Sequence, residues 1–222
     1  MEVLLEQVDQ WEQFPYCKQK WRMKMPNWCN NTLELTHKDP MMILRAKNAY
    51  EADGLLDEFI PIPYELKQGI DYKDYDKQNH EYQRELQKVR ENLNMKYFGY
   101  KDWYDFSVAN WGTKWDVHGE GRSAILNGDT LILSFDSAWS PPIEAYKKLV
   151  EMGFGVYAMY YESGMMFCGS WSNDSDEYMD IAGNSDWVKR NVPSYIDDEF
   201  CISESMAEWE SENEEEEEDV SN

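Results

Sequence analysis

The sequence predicts an α+β fold, and three observations lead there. Hydrophobic residues make up 42% of the 222 residues and aromatic residues 15%, enough to build one substantial core. Segments that alternate at period two are interleaved with two amphipathic segments at period 3.6, in the order strand, helix, strand, strand, helix, strand. The densest aromatic stretch, Trp103 to Pro142, holds a helical pattern, a strand pattern and a Pro-Pro helix start, and aromatic side chains this dense anchor a core or an interface.

Each element has its own signature. Residues 1–24 read as a helical N-terminal extension, with Val3, Leu4, Gln7, Val8 and Trp11 at helical spacing until Pro15 ends the pattern. The basic cluster Lys18, Lys20, Arg22 and Lys24 follows. Over Asn27 to Thr36, Thr32, Glu34 and Thr36 face one side and Leu33 and Leu35 the other, as in a half-buried strand. Asp39-Pro40 caps and opens a helix, Met41 to about Ala52, which Gly54 ends. Phe59 to Pro63 is too proline-rich for a central strand and reads as a buried connector. About 64–102 is a polar helical insertion that leads into the aromatic helix.

In that helix Trp103, Phe106 and Asn110 share a face, and Gly112 suits the left-handed stop. Thr113 to Val117 is an expected strand and Gly119-Glu120-Gly121 a turn. Ser123 to Leu126 and Thr130 to Phe135 form a hairpin about Asn127-Gly128-Asp129. Pro142 to Met152 is amphipathic, with Gly153 as its cap. Phe154 to Glu162 and Met165 to Trp171 form a second hairpin. The order is that of a ferredoxin-like antiparallel sheet in residues 25–172, with two helices packed on one face and an extra edge strand. Residues 173–222 are left as a C-terminal extension. Within it Tyr195 to Ile202 pairs or docks, and Ser203 to Asn222 is an acidic tail too poor in apolar residues to fold alone.

Charge and cysteines narrow the function. The formal net charge is −23, and 13 acidic and no basic residues follow Arg190. Such a chain repels nucleic-acid phosphates and suits a basic partner. Cys17, Cys29, Cys168 and Cys201 show no paired spacing, so no zinc site is expected, and scattered free thiols fit a reducing cytoplasm. No secretory signal opens the chain and no apolar run approaches the roughly 18 residues of a membrane span.

Four motifs stand out as a set: Met25 to Asn31, Asn110-Trp111-Gly112-Thr113-Lys114-Trp115-Asp116, Phe135-Asp136-Ser137-Ala138-Trp139-Ser140-Pro141-Pro142, and Tyr160 to Gly164. Over roughly Met25 to Gly169 they resemble the Api92-like / YubB ferredoxin-like family of bacteriophages and conjugative plasmids. That resemblance implies the fold and a mobile-element origin, and implies no reaction. The extension 1–24 and the acidic tail depart from it.

Trp28, Trp103, Trp111, Trp115 and Trp139 are expected chiefly as core between sheet and helices. If a site exists, its candidates are Asn30, Asn110, Trp111, Lys114, Trp115, Trp139, Ser140 and Glu162, the polar ones standing inside apolar motifs and Lys114 standing between two tryptophans. In the tail, Glu208, Trp209, Glu210, Glu214, Glu215 and Glu216 are candidate partner contacts, with Trp209 an aromatic anchor among charges. Cys29 and His118 are the nucleophile and base worth naming, but nothing brings them together, so no catalytic set is expected. No cofactor or metal is expected either.

The function expected is that of a non-enzymatic phage or mobile-element accessory protein in the host cytoplasm. It would bind and inhibit or redirect a host factor with a basic, nucleic-acid-binding surface, such as a nuclease or defence complex, without touching nucleic acid itself. The alternative is a small-ligand binding protein or hydrolase using a groove near Asn110, Lys114, Trp139 and Glu162. A third expectation is self-assembly through the inserted segment Asp74 to Asn94.

Overall fold

Strand β1 (Trp28–Thr36) lies at the centre of an antiparallel sheet. The computed structural model describes residues 28–68, 80–172 and 175–220; the extension expected over 1–24 and residues 69–79 of the insertion lie outside them. After β1 come α1 (Pro40–Glu51), α2 (Leu55–Phe59), α3 (Tyr64–Lys67), α4 (His80–Phe98) and α5 (Trp103–Trp111). Then follow β2 (His118–Asn127), β3 (Thr130–Ala138), α6 (Ile143–Glu151), β4 (Gly155–Glu162), β5 (Phe167–Ser172) and β6 (Ser175–Asp180). Helices α7 (Ser185–Asn191), α8 (Ser194–Phe200) and α9 (Ile202–Val220) close the chain.

Among the described residues six strands take the order β2-β3-β1-β4-β5-β6. The first four, with α1 and α6 as crossovers, stand in the order that a split βαβ chain requires. Registers follow the alternation. Leu33 pairs with Leu133 on one side and Ala158 on the other, and Leu35 with Leu131 and Val156. One sheet face is therefore wholly apolar along its centre. Ile43, Ala46 and Tyr50 of α1 and Ala145, Tyr146 and Leu149 of α6 cover it. Each such fully buried aliphatic side chain contributes about 2 kcal/mol. The Asp39 carboxylate caps α1 by accepting from Met41 N at 2.9 Å, and Pro40 fits its first turn.

Several expectations need correction. Residues 113–117 form no strand. Asp116 instead accepts from the backbone N–H groups of Leu56, Asp57 and Val117 at 2.8 to 2.9 Å, which holds the segment as a loop over α2. Gly119-Glu120-Gly121 lies inside β2, where the register with β3 shifts between His118 and Ser123, so the extra residues form a bulge rather than a turn. The strand β5 is not an edge, because β6 pairs outside it.

Tyr195 to Ile202 docks as expected, and the larger correction is how much of the C-terminal region folds with it. Turn-rich 172–193 hides β6 and α7, and α7 to α9 cover the second sheet face. Tyr161 and Cys168 of the sheet pack there with Val188, Val192, Ile196, Phe200 and Ile202. Residues 203–220, expected not to fold alone, continue as helix α9 because Ile202 and Met206 share this second core. Cys29 and Cys168 are free and buried, but Cys201 is disulfide-bonded, so the thiols are not all free as the spacing suggested.

Candidate functional site

The motif around Lys114 is built by three clamps. Gly112 ends α5 with φ at 82°, and a Cβ there would stand 3.2 Å from the backbone nitrogens of Ile143 and Glu144, so the end of α5 abuts the start of α6. Ser140 Oγ donates to the Gly112 carbonyl at 2.8 Å. The Thr113 hydroxyl donates to the Ala138 carbonyl and accepts from Ala138 N, both at 3.0 Å. These bonds fasten the loop after α5 to the end of β3. They carry Lys114 and Trp115 to the side of Trp139.

The result is a line of aromatic rings at the surface. Lys114 Nζ stands 4.2 Å from the Trp115 ring centroid and 5.4 Å from that of Trp139. Trp28 lies 5.8 Å from Trp115 and 5.2 Å from His118. On the other side Tyr104 lies 6.4 Å from Trp139 and 6.1 Å from Trp103. Trp115 and Trp139 are 42% and 44% exposed. These two rings are thus not the core expected of the tryptophan set; Trp111 is, with its indole N–H donating to the Ile60 carbonyl at 3.0 Å. Trp111 also lines the cavity beside the strip.

Beside the strip lies a cavity of about 290 Å³, lined by Asp53, Asp57, Lys67, Trp103, Lys114 and Asp116 among others. Its carboxylates are engaged. Asp57 binds Lys67 at 2.7 Å, Asp53 binds Arg122, and Asp116 takes three backbone N–H groups. Burial still pushes the Asp116 carboxyl above its ordinary range, against the pull of those bonds. Among the described residues no carboxylate reaches Lys114 Nζ; the ammonium rests on ring faces alone. A planar ring could stack on this strip while an anionic group meets Lys114.

The other sequence candidates are structural. Asn30 donates to Asp136 at 2.7 Å. Asn110 donates to the Phe106 carbonyl at 2.9 Å and accepts from Lys148 at 2.6 Å. Glu162 is fully buried and takes the backbone N–H groups of Gly164 and Met165 in the β4–β5 turn. Among the described residues none of the three bonds Lys114: Asn30 turns to Asp136, Asn110 to Phe106 and Lys148, and Glu162 to the β4–β5 turn. Cys29 is fully buried and its thiol is held well above its ordinary range, by burial first and Glu162 second. Tyr104 was missed; its place next to Trp103 was the available signal.

In α9, Glu210 accepts from Ser185 N at 2.9 Å and Ser185 Oγ at 2.6 Å, and these bonds lower its pKa. It therefore pins α9 to the start of α7. Trp209 is 55% exposed, and Glu208 also faces solvent. Glu214, Glu215 and Glu216 lie on the same helix.

No family model matches the chain, and no curated protein does. Among solved structures, Api92 from Yersinia pseudotuberculosis is distantly similar, with a TM-score of 0.36 and 12% identity over 72% of this chain and 99% of that one. No helix among the described residues is long and apolar enough to cross a membrane.

Proposed function

We propose that this chain is a non-catalytic binding protein that docks a basic protein surface against α9. The observation that carries this is that the acidic segment is a 19-residue helix anchored at its start, by Ile202 in the second core and Glu210 on Ser185. A helix spaces successive residues about 1.5 Å along its axis and about 100° around it, so a run of glutamates gives the segment negative charge all round its axis. The net charge of −23 and the absence of Lys or Arg after Arg190 favour the same class of partner. Nucleic-acid-binding proteins, such as a nuclease or a defence complex, present that kind of surface. The motif resemblance extends the proposal to a phage or plasmid accessory protein that inhibits or redirects such a host factor in the cytoplasm.

The test is capture from a bacterial lysate on the full chain and on a variant with Glu214 to Glu218 changed to Gln. A partner held only by the unaltered chain, released by salt and displaced by duplex DNA, supports the proposal. Equal retention by both chains, or no salt-sensitive partner, overturns it.

A second reading rests on Lys114, whose ammonium lies between two exposed indoles at the mouth of a cavity. Here the chain binds a planar anion such as a nucleotide. A nucleotide panel should raise Tm, and Lys114→Met should remove that rise. A rise that survives Lys114→Met removes Lys114 from the site.

A further inference from the structure

Helix α4 is amphipathic in a way that the described residues do not use. Tyr82, Leu86, Val89, Leu93 and Tyr97 lie along one stripe, and all five are between 48% and 69% exposed. The side of α4 that is covered is another one, about a third of a turn away. It carries Gln83, Gln87, Arg90, Glu91, Asn94 and Phe98. Asn94 there donates to the Lys101 carbonyl at 2.7 Å, and Arg90 donates to the Gln68 carbonyl at 3.2 Å. Polar contacts thus seat the helix, and the apolar stripe faces outward. Five large apolar side chains aligned on one exposed face mark an interface rather than scattered surface residues.

The steps from Tyr82 to Leu86, Val89 and Leu93 are four, three and four residues, the spacing of a helix-to-helix seam. The residues flanking the seam choose the partner. Glu85 borders it on one side and Arg90 on the other. When two such helices run parallel, Glu85 of one meets Arg90 of the other, five positions on, and the two-fold axis repeats the pair. Run antiparallel, the same residues would meet their own kind. The surface ion pair of Glu85 with Lys88 at 2.8 Å is exposed and holds Glu85 only weakly.

We propose that α4 packs in parallel against α4 of a second copy of this chain, through Leu86, Val89 and Leu93, with Glu85 and Arg90 setting the direction. This is independent of α9 and of the Lys114 strip. The apolar seam must act against a repulsion of −23 per copy, so added salt should strengthen this association, whereas it should weaken docking of a basic partner on α9.

The test is the solution mass of the full chain by light scattering and sedimentation across concentration, against 26.4 kDa for one copy. A multiple of that mass is expected. Leu86→Glu with Leu93→Glu should return the single-copy mass with helical content unchanged, since both positions are exposed and Glu is a good helix former. Glu85→Arg alone should weaken association roughly ten-fold or more, by turning two attractive pairs into repulsive ones, and Arg90→Glu alone should weaken it at least as much, since it also loses the bond to the Gln68 carbonyl. The double exchange should restore it. A single-copy mass for the unaltered chain at all concentrations overturns the proposal, as does a mass indifferent to Leu86→Glu with Leu93→Glu. A double exchange that stays dissociated overturns the parallel arrangement.

Discussion

Thr32 Oγ1 donates to Glu199 Oε1 at 2.5 Å, joining the central strand to the helices on the second sheet face. Burial, with Glu34 nearby, pushes the Glu199 carboxyl above its ordinary range, and the Thr32 bond opposes this without cancelling it. The folded chain therefore holds this proton to higher pH than the unfolded chain does. Stability from the protonated carboxyl is present at low pH and is lost as pH rises through the folded pKa. Glu199→Gln keeps an acceptor for Thr32 and removes the buried charge. Its Tm should exceed that of the unaltered chain at pH 7, and the gap should close as both are titrated toward pH 4. A gap that is constant with pH would show that Glu199 is not the titrating group.

Cys29 and Cys168 should be inert as thiols. Burial raises both, Cys168 to about 11 and Cys29 well above its ordinary range, so the thiolate fraction at pH 8 is small and access is closed. Maleimide mapped by mass spectrometry should leave both unlabelled in the native chain and label both in denaturant. Rapid native labelling of Cys29 would reopen a nucleophilic role.

The first sheet face was legible because Leu33, Leu35, Leu131 and Leu133 alternate cleanly, and period two with a buried face allows one register. Gly112, Gly128 and Asp39 carry turn and cap chemistry that is local in sequence, so those boundaries were legible too. Lys114 and Trp115 were found, but on a strand that does not exist, because the cause of the loop is Asp116 capping a helix some sixty residues away in sequence. The second face was illegible for a similar reason. The strand β6, Ser175–Asp180, is exposed along most of its length and has no alternation to betray it. The helices α7 and α8 are seven residues each, too short to show a period. In α9 the glutamate run hides that Ile202 and Met206 share a buried side.

Asp116→Ala removes the acceptor of three backbone N–H groups at once and should cost about 2–3 kcal/mol. Asp116→Asn should cost less, since one oxygen can still accept from Leu56 and Val117, which share Oδ1. Urea unfolding measures both. Because the same residue holds the loop that carries Trp115, Asp116→Ala should also alter indole fluorescence, and Asp116→Asn should change it less.

Trp139 separates stability from binding. It stands at φ 69°, a left-handed conformation that a bulky residue adopts only at a cost of about 1–2 kcal/mol, and its ring is 44% exposed. The covered part of the ring packs against Lys114 and Tyr104, and the test is whether those contacts serve stability or binding. Trp139→Gly should relieve the backbone and leave Tm unchanged or higher, at the loss of the ring contacts with Lys114 and Tyr104. The same variant should abolish any ligand-induced rise in Tm that depends on Lys114. Trp139→Ala, which keeps the strain and loses the ring, should bind as poorly and melt lower than Trp139→Gly. A large fall in Tm for Trp139→Gly would assign the indole to structure and remove the aromatic strip as a site.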